Sequence, residues 1–285
     1  MKKKKKFYEN IMLVLLMGVI LLASKRASLP ASGGGEEKYD VPIIMYHAVM
    51  KDEGRSGKYV ITPEVLREDI EYILDMGYEP VFISDIINFV YSDSPLPQKP
   101  IVLTFDDGYY NNYLYAYPIS KEYGIKAVIS IIGKHTYLQS ESGEKQAESY
   151  SHVSWEQLKE MSDSGLWEVG NHTYDMHNTG KKNGLLAASG KNTEEKNKNI
   201  ISDITKLQDL IKENVGVTPK TFVFPFGSYD ENTNALIRDL GFEATLSCIE
   251  GINEISRGGN TELLYRYNRP AGVSTKEFFA GIFNK

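Results

Sequence analysis

Asp106 and Asp107 stand side by side in Thr104-Phe105-Asp106-Asp107-Gly108-Tyr109, directly after the apolar run Ile101-Val102-Leu103. That run reads as a buried strand, so two carboxylates fall where a strand ends and a glycine turns the chain. Neighbouring carboxylates repel, and burying either charge is costly unless a cation or hydrogen bonds compensate. The pair makes chemical sense if one Asp binds a metal and the other keeps a reactive lone pair. The plainer alternative is an Asp-Gly turn closing a strand. A second polar cluster, Asn171-His172-Thr173-Tyr174-Asp175-Met176-His177-Asn178, comes after the strand-like Trp167-Glu168-Val169-Gly170 and holds two of the chain's five histidines. Imidazole and carboxylate are the common protein ligands for zinc and similar ions. Two His and one Asp supply three ligands and leave room for water and substrate. A polar surface loop that merely contains two histidines is the alternative.

With both clusters present, the sequence resembles the polysaccharide deacetylase family, the NodB-like carbohydrate esterases. Thr104-Phe105-Asp106-Asp107-Gly108 matches that family's first motif almost letter for letter. The resemblance implies that Asp106 is the catalytic base and Asp107 a metal ligand, with His172 and His177 as the other two ligands. Phe224-Pro225-Phe226-Gly227 is similar to the third motif, which assigns Pro225, Phe226 and Gly227 to the oxyanion side of the substrate groove. The resemblance runs from about Val41 onward. It implies an α/β fold, a distorted (β/α) barrel of the NodB-homology type.

Three departures narrow the group. The two histidines are five residues apart where four is commoner in the family. Val223 stands where the third motif usually opens with Arg, and no His comes after His177 to serve as the usual C-terminal acid. Instead, His47 closes Ile43-Ile44-Met45-Tyr46-His47 at the start of the domain. This order is similar to the poly-β-1,6-N-acetylglucosamine N-deacetylases and makes His47 the expected general acid. Arg266 and Arg269 are the expected substitutes for the missing base-orienting Arg.

The elements that must position these groups alternate between strand-like and helix-like segments. Strands are expected at Ile43–Met45, Glu79–Phe82, Ile101–Phe105, Ala127–Ile132, Glu168–Gly170, Thr221–Phe224, Glu243–Ser247 and Leu264–Arg266. Thr62-Pro63 opens a helix whose apolar face is Leu66, Ile70, Ile73 and Leu74. Trp155–Ser164, Thr193–Asn214 and a segment capped by Asp230 and ended by Gly241 are further helices. Such alternation argues for a parallel sheet closed, or nearly closed, as a barrel, with the site at the C-terminal strand ends. Gln139–Ser151 and Lys181–Lys198 read as exposed polar insertions.

Residues 1–26 combine a Lys block, an apolar run from Ile11 to Ala23 and a basic flank, the pattern of a signal peptide or an N-terminal membrane anchor. Residues 27–40 read as a flexible linker and 41–285 as one catalytic domain. Residues 1–35 carry seven basic and one acidic residue, so the rest of the chain is near −12, which argues against a nucleic-acid partner. A single cysteine, Cys248, permits no internal disulfide and reads as a buried small hydrophobe.

The resemblance implies an extracytoplasmic, metal-dependent hydrolase, membrane-anchored or secreted. It would remove N-acetyl groups from an N-acetylglucosamine-containing cell-envelope or extracellular polysaccharide. One divalent ion is expected, zinc first, with cobalt, nickel, manganese or iron compatible. An O-deacetylase of the acetyl xylan esterase kind and a non-catalytic wall-binding protein are the alternatives.

Overall fold

Apolar runs rich in Ile and Val become short strands, the residue types a sheet buried on both faces requires. The computed structural model describes residues 37–178 and 183–283. The expected export segment and residues 181–182 lie outside them. The first strands are β1 (Lys38–Val41), β2 (Ile43–Tyr46), β3 (Ala48–Val49), β4 (Val60–Ile61), β5 (Glu79–Pro80) and β6 (Pro100–Phe105). After them come β7 (Ala127–Ile131), β8 (Trp167–Asn171), β9 (Thr221–Val223), β10 (Ala244–Leu246), β11 (Asn253–Ser256) and β12 (Tyr267–Asn268). The helices are α1 (Pro63–Asp75), α2 (Ile83–Tyr91), α3 (Tyr117–Tyr123) and α4 (Gly133–Ser142), then α5 (Trp155–Asp163), α6 (Thr193–Val215), α7 (Glu231–Asp239) and α8 (Thr275–Phe283).

The main sheet runs β10-β9-β8-β7-β6-β2-β12, with β5 beside β6, and every pairing in it is parallel. Its ends approach each other through one segment. Leu264 bridges Leu246 of β10, and Tyr267 pairs with Ile44 of β2. The sheet therefore curls into a distorted barrel. Successive residues of a strand point to opposite faces, and the two main clusters obey that alternation. Ile43, Val102, Val128 and Val223 pack with Ile83, Ile86 and Phe89 of α2. Ile44, Leu103, Ile129 and Val169 pack with Leu66 of α1 and Leu158 of α5.

Local signals start and stop the helices as expected. Thr62 caps α1 through the Val65 N–H, with Pro63 in the first turn, and Asp230 caps α7 through the Thr233 N–H. Several expectations need correction. Leu74 is 37% exposed and leaves the apolar face of α1 to Leu66, Ile70 and Ile73. Leu264–Arg266 is a single bridge, and the strand forms later, at Tyr267–Asn268, where a partner edge on β2 is available. The linker ends before residue 40, because Lys38–Val41 pair antiparallel with β11. The strand expected at Glu79–Phe82 stops at Pro80, and Phe82 is instead the N-cap of α2. Neither insertion is wholly exposed. Helix α4 runs to Ser142 and Ser151 is buried, while Leu185 packs in the cluster of Ile200, Ile204 and Phe222. Among the described residues no helix is long and apolar enough to cross a membrane.

Candidate active site

The site residues gather at the C-terminal ends of parallel strands. Asp106 and Asp107 come directly after β6, His172 after β8 and His47 after β2, and Phe226 lies in a turn after β9. All five line one cleft of about 820 Å³. Three positions in or beside these turns have strained backbone. Asp107, Thr173 and Phe226 have φ of +70°, +73° and +60°, a region costly for residues with a side chain. Gly108 continues the turn at φ +74°, where a Cβ would come 2.8 Å from the Ile131 side chain. The Asp-Asp-Gly turn is thus packed tightly against the end of β7.

Asp107 Oδ1 lies 3.5 Å from His172 Nε2 and 3.3 Å from His177 Nε2. Among the described residues these three are the group whose donor atoms converge, all within 4.8 Å. Two further features fit a divalent cation. Asp107 Oδ1 is buried without a hydrogen-bond partner. His172 Nδ1 sits 2.8 Å from the Val223 carbonyl, and as a donor there it leaves the Nε2 lone pair facing Asp107. Burial would raise the Asp107 carboxyl, but the imidazoles of His172, His47 and His177 beside it hold it far below the usual carboxylate range. Burial, helped by His172, pushes the His177 imidazole down to about 4, so it is neutral and its lone pair is available. The five-residue spacing is accommodated by a clamp. Asp203 of α6 accepts the N–H groups of Tyr174 and Asp175 at 2.8 and 2.9 Å, fixing the loop between the histidines.

Asp106 faces the other way. Arg266 Nη1 donates to its Oδ1 at 2.8 Å, and both side chains are buried. The Arg266 fork is held by Ser247 O at 2.8 Å on Nε and by Thr104 Oγ1 at 3.3 Å on Nη1. Burial would raise the Asp106 carboxyl, but the Arg266 charge, with His172 and His47, keeps it below the ordinary value and ionised. Arg269 does not reach the site. Its Nε and Nη2 form a bidentate pair with Asp69 at 2.8 and 3.0 Å, and Tyr46 and Thr275 complete that buried network. Both partners are tied to β2, Asp69 by the Tyr46 hydroxyl and Arg269 by its N–H to the Met45 carbonyl.

His47 lines the cleft, with its carbonyl held by Asn112 Nδ2 at 2.7 Å. Burial lowers its pKa, against the pull of Asp106 and Asp107. Of the expected groove residues, Phe226 reaches the cleft and packs on His177 at 4.2 Å between ring centroids. Pro225 is buried, and Gly227 sits so close to Cys248 that a Cβ would come 2.7 Å from its Cβ. Cys248 corrects its expectation. It is exposed, lines the cleft and places Sγ 3.8 Å from Arg266 Nη2.

Sequence reading missed several neighbours. Tyr109 and Tyr59 line the cleft, and Asn111 and Asn112 tie the loop after β6 to Val49 N–H and His47 O. The two asparagines directly after Asp-Asp-Gly-Tyr-Tyr were the signal for that tie. His135 and His152 stack at 4.3 Å, with His152 against Tyr109. Burial, reinforced by His135, pushes His152 down to about 4.

A parallel barrel carries an Asp-His-His group of converging donor atoms beside an Arg-paired carboxylate, a donor set of the kind that can hold a divalent ion. The family model described as polysaccharide deacetylase matches residues 93–245, more than half of the chain, and the chain belongs to that family. It is 26% identical over 254 residues to the poly-β-1,6-N-acetyl-D-glucosamine N-deacetylase of Escherichia coli (strain K12), an alignment covering 82% of this chain and 37% of that protein. It is 32% identical over 154 residues to the protein of the same description in Staphylococcus aureus (strain MRSA252), covering 54% and 49%. The chain therefore spans less than half the length of either relative. The solved de-N-acetylase of Aggregatibacter actinomycetemcomitans shares the fold, with TM-score 0.73 and 24% identity over 87% of this chain and 99% of that one.

Proposed function

We propose that this chain is a metal-dependent hydrolase that removes N-acetyl groups from an N-acetylglucosamine-containing polysaccharide outside the cytoplasmic membrane. The observation that carries this reading is the division of labour between adjacent carboxylates. Asp107 faces two imidazoles with an unpartnered oxygen, while Asp106 faces a buried Arg. Two neighbouring charges held apart by different partners are suited to different tasks.

Asp107, His172 and His177 would hold the ion. A divalent ion so held supplies Lewis-acid polarisation of the acetyl carbonyl and makes water more acidic, and zinc suits two imidazoles and one carboxylate best. Asp106, kept ionised by Arg266, takes the proton of the attacking water at its carboxylate. The Phe226 N–H, in a turn fixed by its left-handed backbone, donates to the developing oxyanion. His47 delivers a proton to the leaving amine. Residues 1–26 would carry the domain, residues 41–285, across or onto the membrane. The acidic charge of the rest of the chain suits a neutral glycan whose product is cationic.

The test is acetate release by metal-replete protein from poly-β-1,6-N-acetylglucosamine, chitin oligomers, peptidoglycan and acetylated xylan. Release from an N-acetylated glycan, abolished by Asp106→Asn with metal content unchanged, supports the reading. Release from acetylated xylan alone replaces it with O-deacetylation, and release from none leaves a binding protein.

A further inference from the structure

His47 lacks the polar partner that usually fixes a working imidazole. Its Nδ1 is buried and makes no hydrogen bond. The Asn112 contact goes to its backbone carbonyl and does not hold the ring. Tyr59 lies against that ring, with centroids 4.6 Å apart and planes inclined at 53°.

Tyr59 is itself held by backbone. Its carbonyl accepts the N–H of Ala48, the residue after His47, at 3.0 Å, beside the parallel pairing of β3 and β4. On its N-terminal side, the Gly57 carbonyl accepts from the Ala271 N–H and the Lys58 carbonyl from Asn268 Nδ2, both at 2.9 Å. The loop that presents Tyr59 is thus tied to β3 and to the segment around β12, on both sides of His47. Tyr59 is 46% exposed and lines the cleft. A tyrosine whose task was packing alone would be buried more deeply, and one that only walled the cleft would need no imidazole under its face.

We propose that Tyr59 is a positioning residue for His47, its ring taking the place of the absent hydrogen bond and holding the imidazole toward the cleft. This rests on His47 as proton donor in the reaction proposed above. An aromatic face restricts imidazole rotation by contact and shields the unpartnered nitrogen from water, and misplacing a catalytic group by about 1 Å can cost on the order of 10²-fold.

The test compares Tyr59→Ala, Tyr59→Phe, His47→Ala and the Tyr59→Ala/His47→Ala double variant as metal-loaded full-length protein. Tyr59→Ala should lower kcat for acetate release by about ten- to 10²-fold, with metal content and melting curve retained. Tyr59→Phe should restore most of the activity. In the His47→Ala background the tyrosine change should add nothing, because its effect passes through the imidazole. Carbethoxylation of His47, read by mass spectrometry, should run several-fold faster in Tyr59→Ala. A rise in KM without loss of kcat, additive losses in the double variant, or an unchanged carbethoxylation rate would each overturn the assignment. The carbethoxylation arm reads the contact without turnover, so it decides the role of Tyr59 even if no substrate is hydrolysed.

Discussion

Replacing Arg266 by Met tests the electrostatic design of the site most directly. Arg266 and Asp106 are both buried and meet at 2.8 Å. Met fills much of the side-chain volume but leaves the Asp106 carboxylate without its strongest compensation, and it strips Ser247 O and Thr104 Oγ1 of a donor. Breaking a buried pair from one side costs about 3–5 kcal/mol. In a domain of this size that lowers Tm by roughly 6–20 °C. Asp106→Asn added to Arg266→Met should recover most of the loss, since the uncompensated charge is then gone. The assay is thermal melting of chelator-treated protein, so that metal binding does not enter. Metal uptake and acetate release are measured in parallel, with turnover lost and metal retained in Arg266→Met. If the double variant melts no higher than Arg266→Met, the cost lies in packing around the guanidinium and the charge-pair account fails.

Arg269→Met should destabilise by a similar amount, because Asp69 is equally buried, yet leave kcat unchanged below the melting range, as steady-state kinetics on the soluble fraction would reveal. Asp203→Ala removes the acceptor of two loop N–H groups and should weaken metal binding several-fold without touching a ligand, read by competition with a chromogenic chelator. Gly108→Ala combines a φ of +74° with a 2.8 Å approach to Ile131 and should cost about 1–3 kcal/mol, measured by urea denaturation. Burial raises the Glu168 carboxyl despite the Ser84 N–H it accepts, so the folded state favours the protonated form. Its contribution is therefore present at low pH and lost as pH rises through the folded value. Glu168→Gln should raise Tm above wild type by a margin that grows as pH rises above the ordinary glutamate range.

How far the site could be read from sequence depended on whether a residue's role is local. Asp106, Asp107 and His172 were legible because a strand end fixes the place of the next residues, and strand ends are visible as the last residue of an apolar run. The cap at Thr62 and the stop at Gly241 were legible for the same reason. The partners of the two arginines were not. Arg266 and Arg269 are three residues apart in one short segment and equally able to serve Asp106 on paper. The choice between Asp106 and Asp69 is made by the pairing of β12 with β2 and by the tie of Asp69 on α1 to Tyr46 of β2, neither of which leaves a local trace. Cys248 was misjudged because exposure in a cleft is a property of the closed sheet. Tyr59 carried no signal at all, being set beside His47 by a two-residue parallel pairing.

Strand order explains how Arg266 reaches Asp106 from a distant part of the chain. The groups assigned to metal binding come from β6 and β8, which flank β7, so His172 and Asp107 approach from either side of that strand. Beyond β6 on the other side lie β2, which carries His47, and β12, which Arg266 immediately precedes. A buried carboxylate at the end of β6 needs a guanidinium within hydrogen-bond reach, and the segment that closes the ring supplies it. That segment bridges Leu246 at one end and pairs with Ile44 at the other, so Arg266, the partner of Asp106, sits in a stretch of chain that joins the two ends of the sheet. Catalytic competence and ring closure should therefore be lost together. A Leu264→Asp change at the bridge, about 7 Å of extended chain from Arg266, should abolish turnover and lower the melting temperature, the two falling in parallel across a series of milder substitutions at the same position. Variants that melt early yet turn over normally at low temperature would separate the two and show that Arg266 holds its place without the bridge.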